Sequence, residues 1–548
     1  MPVPPRLRRL AVALAVAAVA FVRVWPPDGA TTVVGRPEGE LRDHLWLSWG
    51  FAHTLLVEHR LPLHVDFAAF PAGLGVYPLD PLHQAAIIGL TPVLGTVGAV
   101  NTVAFLLFAA LVYGGQKLAA AANAGLAAEL ACGALAALSP AFLGAFADTQ
   151  TEGMASGWLL LLLAELFADH PRPRRAALWG GLLLASGPYI AHGVAVVCVI
   201  TWFARQLPWR AALPVVLVAG VLGAAMVSTE TGAGGALAAR AAHVGTATEP
   251  PRSTPLGVKP PPPLPDEGVV HHAAAYPGAA ETGPRRFAPW LLGALVLLAI
   301  RDRRARAPAA LAVAYAAIAL GNRFGVDDRP VDFPTPYSLF WRFYPLAKYA
   351  WKPAQYAVPA TAFALLAVAK GWPRAPRALA GATAALALGA AIELLVRSPT
   401  PLPLPASTLH PRTVWTAMAS SAGGVVEFPC RDRSVPGHPP VADVLLGPLW
   451  HGRPLGETPN REPSKVHAAL LGSLEGAITG HPPKGSRPLG EAVRDAARAG
   501  FTDLLLLTEP LGADATGRLT TALTAAGLAT PPPVDGVLRY SLADASGQ

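Results

Sequence analysis

Two carboxylates and a histidine stand close together near the start of the chain. Glu40 and Asp43 are three positions apart, and His44 lies four positions after Glu40. On a helix, residues with these spacings share a face. Carboxylates and an imidazole on one face can act as general acid and base, or can hold a metal ion. A solvated surface loop would carry the same residues without any chemistry, so the spacing alone leaves both interpretations open.

Three basic residues in a later part of the chain could bind an anion. Arg342, Lys348 and Lys352 are interspersed with aromatic residues, namely Trp341, Phe343, Tyr344, Tyr349 and Trp351. Basic groups among aromatic rings suit a lipid phosphate at the headgroup level of a bilayer. An aromatic belt with basic side chains reaching to the interface gives the same pattern without a bound ligand.

Several other polar residues have simpler explanations. Asp66 and Asp80 lie in turn-rich sequence, where they are expected to cap turns and the next helix. Asp148, Gln150 and Glu152 flank a short connection between apolar stretches. They could face the same cavity as the first loop, or they could cap helices.

The composition places these residues in a membrane protein. Of the 548 residues, 52% are hydrophobic and 14% are charged, whereas an ordinary soluble domain has about 25% charged residues. The mean hydropathy is +0.40. The net charge of +8 comes from short basic clusters between apolar runs, which indicates membrane topology and not nucleic-acid binding. The three cysteines lie far apart, without the spacing of a metal or redox motif.

The apolar stretches predict about eleven transmembrane helices within residues 1–397. They lie near 10–25, 84–112, 125–146, 153–168, 175–188, 189–204, 211–228, 288–300, 308–321, 354–369 and 378–396. Basic connections stay in the cytoplasm, which assigns that side to Arg6–Arg9, Lys117, Arg172–Arg175, Arg205–Arg210, Arg301–Arg306 and Lys370–Arg377. The N-terminus is then cytoplasmic, and residues 27–83, 146–153, 229–287 and 322–353 are outer loops. The first stretch is predicted to be an uncleaved anchor, although a signal peptide has the same pattern.

The composition changes after residue 397, through a Pro-rich linker, into sequence of mixed polarity. Residues 398–548 are therefore predicted to form a soluble α/β domain outside the membrane. The predicted helices lie near 411–420, 465–478, 489–499 and 515–527, and the predicted strands are Gly424–Phe428, Asp503–Leu507 and Val537–Leu542. The sequence contains no P-loop, GxGxxG, GxSxG or HExxH motif, which argues against an ATP-driven pump and the usual hydrolases.

Several motifs resemble those of the C-type glycosyltransferase (GT-C) superfamily of polytopic membrane enzymes. In the first outer loop these are Gly39-Glu40, His44-Leu45-Trp46 and Asp66 with Phe70-Pro71-Ala72-Gly73. Later matches are Leu320-Gly321, Pro334-Thr335-Pro336-Tyr337, Lys352-Pro353, Val425-Val426-Glu427-Phe428-Pro429 and His451-Gly452-Arg453-Pro454. The resemblance runs nearly end to end and implies a GT-C-like architecture.

The resemblance also implies a reaction at the outer membrane face. In that superfamily a carboxylate in the first outer loop acts as the base or as a ligand on the metal side. The sugar comes from a polyprenyl-phosphate carrier. Glu40 occupies the position of the usual Asp, and Asp43 could take the role instead. The residues implied to bind substrate are His44, Asp66, Arg342, Lys348 and Lys352. Lys352 stands where an Arg is common and Gln355 where a second basic residue is common, and a divalent metal, Mg²⁺ or Mn²⁺, is left open as cofactor.

Two functions follow as hypotheses. One is a glycosyltransferase of the cytoplasmic (inner) membrane that moves a sugar from a polyprenyl-phosphate donor to an envelope glycan or lipid. The other is a non-catalytic transporter or assembly factor for envelope polymers on the same scaffold. Ion-coupled transport needs ionisable residues at mid-membrane depth, whereas the predicted spans hold chiefly Glu129, Glu165 and Glu393, each near an end. This distribution favours the outer-face enzyme over ion-coupled transport and leaves a scaffold without chemistry open.

Overall fold

A computed structural model describes most of the chain. The described residues are 4–25, 31–36, 41–65, 67, 70–71, 73–75, 80–231, 290–319, 324–326, 329–331, 336, 353–372, 377–398, 400, 402–419, 422–429, 446–456, 464–483 and 486–543. Glu40, Asp66, Arg342, Lys348 and Lys352 lie outside them. The chain divides into two compact units. Unit 1 comprises Met1–Leu41, Pro78–Ser228 and Leu237–Thr408, and unit 2 comprises Arg42–Tyr77, Thr229–Ala236 and Leu409–Gln548. The predicted division at residues 397 and 398 stays a prediction.

The described chain is mostly helical. The helices, in chain order, are α1 (Pro5–Ala20), α2 (Leu41–Leu56), α3 (Pro81–Ala121), α4 (Gly125–Leu138), α5 (Pro140–Ala147), α6 (Ser156–Leu166), α7 (Pro173–Ser186), α8 (Pro188–Ala204), α9 (Leu213–Thr231), α10 (Trp290–Ala299), α11 (Arg303–Ala319), α12 (Ala357–Gly371), α13 (Arg377–Arg397), α14 (Thr413–Ala417), α15 (Pro448–His451), α16 (Lys465–Thr479), α17 (Leu489–Arg498) and α18 (Thr508–Ala525). Short 3-10 turns cover Gly153–Ala155, Trp209–Ala212 and Pro353–Tyr356.

The strands are few and short. They are β1 (Thr32–Val34), β2 (His64–Val65), β3 (Leu74–Gly75), β4 (Phe324–Val326), β5 (Arg329–Val331), β6 (Ala406–Thr408), β7 (Gly424–Phe428), β8 (Phe501–Leu507) and β9 (Val537–Ser541). Three antiparallel pairs, β1 with β6, β2 with β3 and β4 with β5, each form a two-stranded sheet. The remaining sheet has the order β7-β8-β9, with β7 parallel and β9 antiparallel to β8.

Each apolar stretch predicted to span the membrane is largely helical in the structure. Within the described residues, Pro81–Ala121 and Leu379–Arg397 are long and apolar enough to cross a bilayer. A third span results if Gly125–Leu138 and Pro140–Ala147, which are bent by 47°, count as one. The protein is therefore an integral membrane protein. The count of about eleven spans stays a prediction, because the other apolar helices are shorter than these.

Small residues let the helices of unit 1 approach closely. A Cβ atom at Gly157 of α6 would lie 2.7 Å from the backbone nitrogen of Leu111 in α3. One at Gly115 of α3 would lie 2.5 Å from the carbonyl oxygen of Cys132 in α4. Helices in lipid associate through such close packing, because lipid removes the hydrophobic drive between them. The α3, α4 and α6 helices thus form the packed centre of unit 1.

Basic connections meet in unit 1, in a region that we call the basic end. Arg9 binds Glu129 at 2.7 Å, and Arg175 lies 3.9 Å from Glu165. Asp169, in the connection between α6 and α7, lies near both Arg304 and Lys370, at 3.6 and 3.8 Å. Lys117 interacts electrostatically with Arg9, Glu165, Arg172 and Arg175. Residues from several predicted cytoplasmic connections therefore lie together, as the predicted topology requires.

The structure contains the predicted secondary-structure elements of the C-terminal sequence. The strand Gly424–Phe428 has the predicted bounds, and the other strands and helices begin and end within a few residues of them, except that α18 begins earlier, at Thr508. Glu427 of β7 and His451 of α15, from two separate motifs, are both buried, with their side chains 3.9 Å apart. Glu427 also accepts a hydrogen bond from the Trp415 indole at 3.0 Å. The two motifs therefore meet inside unit 2.

In unit 2, the buried carboxylate of Asp503 pairs with two arginines. Its carboxylate accepts hydrogen bonds from Arg453 and Arg539, each at 2.7 Å, and it is 3% exposed. Burial by itself raises the pKa of Asp503, but the hydrogen bonds from Arg539 and Arg453 outweigh burial and hold the pKa below its ordinary value of 3.8. The ionised carboxylate therefore stabilises the fold above pH 3.8, and this stabilisation is lost as the pH falls through the lower folded pKa.

We expect Asp503→Asn to lower the free energy of unfolding of unit 2 by about 3 kcal/mol, because it breaks a buried ion pair. Hydrogen exchange of the β7 and β8 amides in the full chain measures this loss. Asp495 is the matched control, since it also pairs with two arginines, Arg487 and Arg498, but at the surface. Asp495→Asn should cost under about 1 kcal/mol. Equal exchange rates in the two variants would contradict the expectation.

Candidate active site

A turn of five polar or charged residues, 148–152, joins α5 to the 3-10 turn before α6. We call it the Asp148 turn. Asp148 and Thr149 are fully buried, and Gln150 and Thr151 are at most 5% exposed. Burying polar groups in an apolar protein is costly unless they are hydrogen-bonded. A run of this kind is therefore either held by a specific network or built for a ligand.

The local sequence explains how the turn leaves α5. Pro140 begins the helix, and the amide of Gln150 donates to the carbonyl of Ala145 at 2.8 Å to end it. This pattern places the intervening Thr149 in the left-handed region, with φ 59°, where helices usually carry Gly. A β-branched residue there is strained. Such strain persists only where the surroundings enforce it, which happens most often at functional sites.

The strand β1 holds Thr149 in this conformation. The Thr149 hydroxyl donates to the Val34 carbonyl at 2.6 Å, and the Arg36 amide donates to the Ala147 carbonyl at 2.7 Å. Asn101 of α3 fixes the other side of β1, because its amide group accepts from the Val34 amide and donates to the Thr32 carbonyl. The end of β1 is therefore fastened to both α3 and the Asp148 turn.

Gly35 makes the approach of β1 to this turn possible. Its φ is +125°, and a Cβ atom there would lie 2.0 Å from the Thr149 hydroxyl oxygen. We expect Gly35→Ala to lower the free energy of unfolding by about 3 kcal/mol, from backbone strain and overpacking together. Thermal unfolding in detergent measures the loss. Gly89→Ala is the control, because a Cβ at Gly89 meets nothing within 4 Å, and equal melting of the two variants would contradict the expectation.

An arginine and an aspartate face each other at the turn. The Arg36 Nε atom lies 3.8 Å from Asp148 Oδ1. Arg36 is 9% exposed and also donates to the Thr400 hydroxyl at 3.5 Å. Opposite charges buried this close attract strongly, because the surrounding protein screens them less than water does. The pair therefore fixes the end of the β1 segment at Arg36.

A second polar group lies on the other side of the turn. His83 Nδ1 is 2.9 Å from the Thr151 carbonyl oxygen, and since a carbonyl only accepts, Nδ1 carries the hydrogen. Gln84 donates to both carboxylate oxygens of Asp80, at 3.1 and 3.2 Å. Asp80 occupies the N-cap position of α3, as predicted, but its side chain does not cap the helix backbone. It binds the Gln84 side chain instead.

The connection between α7 and α8 reaches the same region. A Cβ at Gly187 would lie 2.6 Å from the carbonyl oxygen of Glu152. Beyond it, the Tyr356 hydroxyl lies 3.5 Å from His192 Nε2. A small pocket there is lined by Tyr189, Ile190, His192, Gly193, Gln355, Tyr356 and Pro359. Gln355 stands where the superfamily commonly has a second basic residue. In this chain it contributes an uncharged amide to the pocket.

Of the first-loop residues that were predicted to form the site, the structure describes Asp43 and His44. Both are half-buried on α2, in unit 2. The same helix carries the buried Trp46 and a stacked pair, Trp49 and His53, with ring centroids 5.0 Å apart. Asp43 and His44 do lie on a helix, as predicted. The expectation that Glu40 shares their face falls outside the described residues, because Glu40 is not among them.

The described neighbours of Glu40 lie at the Asp148 turn. Before the segment 37–40, Arg36 is bonded to Ala147 and paired with Asp148. After the segment, the Leu41 side chain lies 2.9 Å from the Cβ position of Gly35. The chain therefore enters and leaves the segment carrying Glu40 beside this turn. Arg36, His83 and Thr149 were not among the predicted site residues, because their partners are remote in sequence.

A divalent metal requires several anionic or imidazole ligands. The part of the chain that the structure describes contains no group of three or more His, Cys, Asp or Glu residues placed to hold a metal ion. At the turn, the Asp148 carboxylate already faces the Arg36 cation. The described residues alone therefore do not fit a metal centre.

Comparison with known proteins identifies solved structures that share the fold of this chain. No protein-family model matches the chain, and no curated protein does. The arabinofuranosyltransferase AftD from Mycobacteria is similar in structure, with TM-score 0.56 and 17% identity, over 98% of this chain and 40% of AftD. This chain thus spans about 40% of the length of AftD.

Two further structures match at lower scores. The Archaeoglobus fulgidus oligosaccharyltransferase has TM-score 0.45 and 12% identity, over 98% of this chain and 74% of its own. ArnT from Cupriavidus metallidurans bound to undecaprenyl phosphate has TM-score 0.41 and 11% identity, over 99% of each chain. The conclusion on fold rests on AftD, whose score is the higher, and at 17% identity the likeness concerns the fold alone. The chain is a membrane protein with the GT-C-like fold that the motifs of the sequence predicted.

Proposed function

We propose that the chain is a membrane glycosyltransferase that transfers a sugar from a polyprenyl-phosphate donor to a cell-envelope glycan or lipid. The observation that carries the proposal is the buried Arg36–Asp148 pair, which anchors Arg36, the last described residue before the segment carrying Glu40, to the helical bundle of a GT-C-like fold. A catalytic carboxylate must be held in place to be effective. A loop that served only as a connection would not need a buried ion pair at its root.

The reaction needs a base and a stabilised leaving group. The acceptor hydroxyl oxygen bonds to the anomeric carbon of the sugar, and its proton goes to a carboxylate, either Glu40 or Asp43. The bond from the anomeric carbon to the phosphate oxygen breaks, and its electron pair stays on the phosphate. Cations lower the energy of that developing charge. Arg342, Lys348 and Lys352 are proposed for this role.

His44 and Asp66 are proposed to bind the sugar or the acceptor hydroxyls. An imidazole and a carboxylate together offer a donor and acceptors for such hydroxyls. A divalent cation, Mg²⁺ or Mn²⁺, remains part of the proposal as a cofactor. If one binds, it needs ligands beyond the described residues.

The proposed topology has about eleven spans, with the N-terminus in the cytoplasm. Residues 398–548 then form an α/β domain on the outer side of the cytoplasmic membrane. The clustering of basic residues at one end of unit 1 supports this orientation, because basic connections are retained in the cytoplasm. The Asp148 turn belongs to a predicted outer connection, so the proposed chemistry lies on the outer face.

The test is a transfer assay on the purified full chain in lipid. Radiolabelled polyprenyl-phosphate pentoses and hexoses are offered with mixed envelope lipids and glycans, with and without Mg²⁺ or Mn²⁺. Arabinofuranosyl donors come first in the panel, because AftD is named for that transfer. Label appearing in an acceptor supports the enzyme. Failure of every donor, with protein that melts cooperatively, favours the non-catalytic assembly factor.

A further inference from the structure

A cavity of about 450 Å³ lies at the basic end of unit 1, between α10, α12 and α13. Its polar lining includes Arg301, Asp302, Arg303 and Thr383. Its apolar lining includes Leu295, Leu379 and Trp372. The cavity lining is thus amphipathic, because it combines charged residues with leucines. It takes no part in the reaction proposed above.

The cavity lies far from the Asp148 turn region. Helix α12 runs from the Tyr356 side, where the small pocket with His192 lies, to Gly371 beside the cavity. Fifteen residues of helix cover about 22 Å. Gly371 packs so closely on α10 that a Cβ there would lie 2.6 Å from the Cα of Ala299. This contact brings α10 and α12 together beneath the cavity.

The charges around the cavity are predominantly positive. Arg301 and Arg303 are exposed, and in the described chain neither has a carboxylate partner. Asp302 accepts from the Arg304 amide at 2.9 Å and so caps α11. Asp169 lies near Arg304 and Lys370, at 3.6 and 3.8 Å. The Asp302 carboxylate offsets one of the two arginines that line the cavity, so the lining keeps a net positive charge for a ligand.

The surroundings identify the kind of anion. The cavity opens where apolar helices end and basic connections begin, which is the headgroup level of a bilayer. Trp side chains are enriched at that depth. Guanidinium groups bind phosphate through two parallel hydrogen bonds. A soluble anion would gain nothing from the leucine walls, whereas the glycerol and acyl carbons of a lipid can pack on them.

We propose that this cavity binds the headgroup of an anionic phospholipid, with Arg301 and Arg303 contacting the phosphate. The basic end is expected to face the cytoplasmic leaflet, which is rich in anionic lipid. The bound lipid then links α10, α12 and α13 at the membrane surface. This lipid site does not depend on the proposed reaction.

The test is native mass spectrometry of the full chain released from nanodiscs that contain equal amounts of phosphatidylglycerol and phosphatidylcholine. Wild-type protein should retain phosphatidylglycerol in preference. The double variant Arg301→Gln, Arg303→Gln should retain at least tenfold less, with an unchanged melting temperature in detergent. The control Arg172→Gln, Arg174→Gln removes two charges at the start of α7 and should retain wild-type lipid.

Three outcomes would overturn the proposal. One is equal retention by wild type and the Arg301, Arg303 variant. Another is equal loss in the Arg172, Arg174 control, which would indicate general surface attraction. The last is full displacement of phosphatidylglycerol by millimolar glycerol phosphate, which would show that a soluble phosphate suffices. Should the double variant melt early, the single variant Arg303→Lys, which keeps the charge, must retain more lipid than Arg303→Gln.

Discussion

Either Glu40→Gln or Asp43→Asn should abolish sugar transfer while the protein remains folded. A general base contributes about 10²- to 10⁴-fold to the rate of a reaction, and each substitution removes the basic oxygen with almost no change in shape. We therefore expect at least a hundredfold fall in kcat in the variant that lost the base. Initial rates of label transfer, measured beside thermal unfolding in detergent, check this result.

The matched control is Glu38→Gln, which removes a carboxylate from the same predicted loop. It should transfer at the wild-type rate, because Glu38 lies outside the motif. Full activity in both the Glu40 and the Asp43 variant would overturn the assignment of the base. A fall in all three variants would indicate that the charge of the loop matters, and not one catalytic carboxylate.

Asp148→Asn should lower transfer at least tenfold, through the position of the loop. The carboxylate of Asp148 holds Arg36, and Arg36 begins the segment that carries Glu40. Weakening a buried ion pair costs about 3 kcal/mol, so both kcat and the melting temperature should fall. A misplaced base slows the chemical step but leaves the affinity for substrate largely intact. KM should therefore change less than kcat.

A double-variant cycle separates this effect from general damage. Arg36→Gln and Asp148→Asn should be coupled by at least about 1 kcal/mol in stability, because the two groups interact directly. Asp169→Asn is the control, since Asp169 is an aspartate at the basic end with a side chain 39% exposed. It should leave kcat unchanged. Additive effects of the Arg36 and Asp148 substitutions would contradict the proposed role of the pair.

The sequence predicts features that depend on neighbouring residues. The residue pattern of Gly424–Phe428 predicts a strand, and the structure has that strand with the same bounds. The apolar runs predict helices, because a chain segment in lipid must satisfy its backbone hydrogen bonds internally, and a helix does so within one segment. The basic clusters predict a shared end, which the contacts of Asp169 with Arg304 and Lys370 confirm for part of them.

Features that depend on remote partners could not be predicted. Thr149 and Val34 form a hydrogen bond although they are 115 residues apart. Gly35 gives no local signal, because the Thr149 hydroxyl that leaves no room for a Cβ atom at position 35 is remote in sequence. The predicted role of Asp80 as a side-chain cap was wrong, because Gln84, four residues later, offers its carboxylate a better donor than the helix backbone. The active-site assignment of Glu40 and Asp43 remains a prediction.

The central claim is that the first outer loop of a GT-C-like chain performs sugar transfer. The most direct measurement compares the wild type with the Glu40→Gln, Asp43→Asn double variant, using the polyprenyl-phosphate donor that gives most product. We predict transfer by the wild type and none above background by the double variant, with equal melting temperatures. Undiminished transfer by the double variant would contradict it.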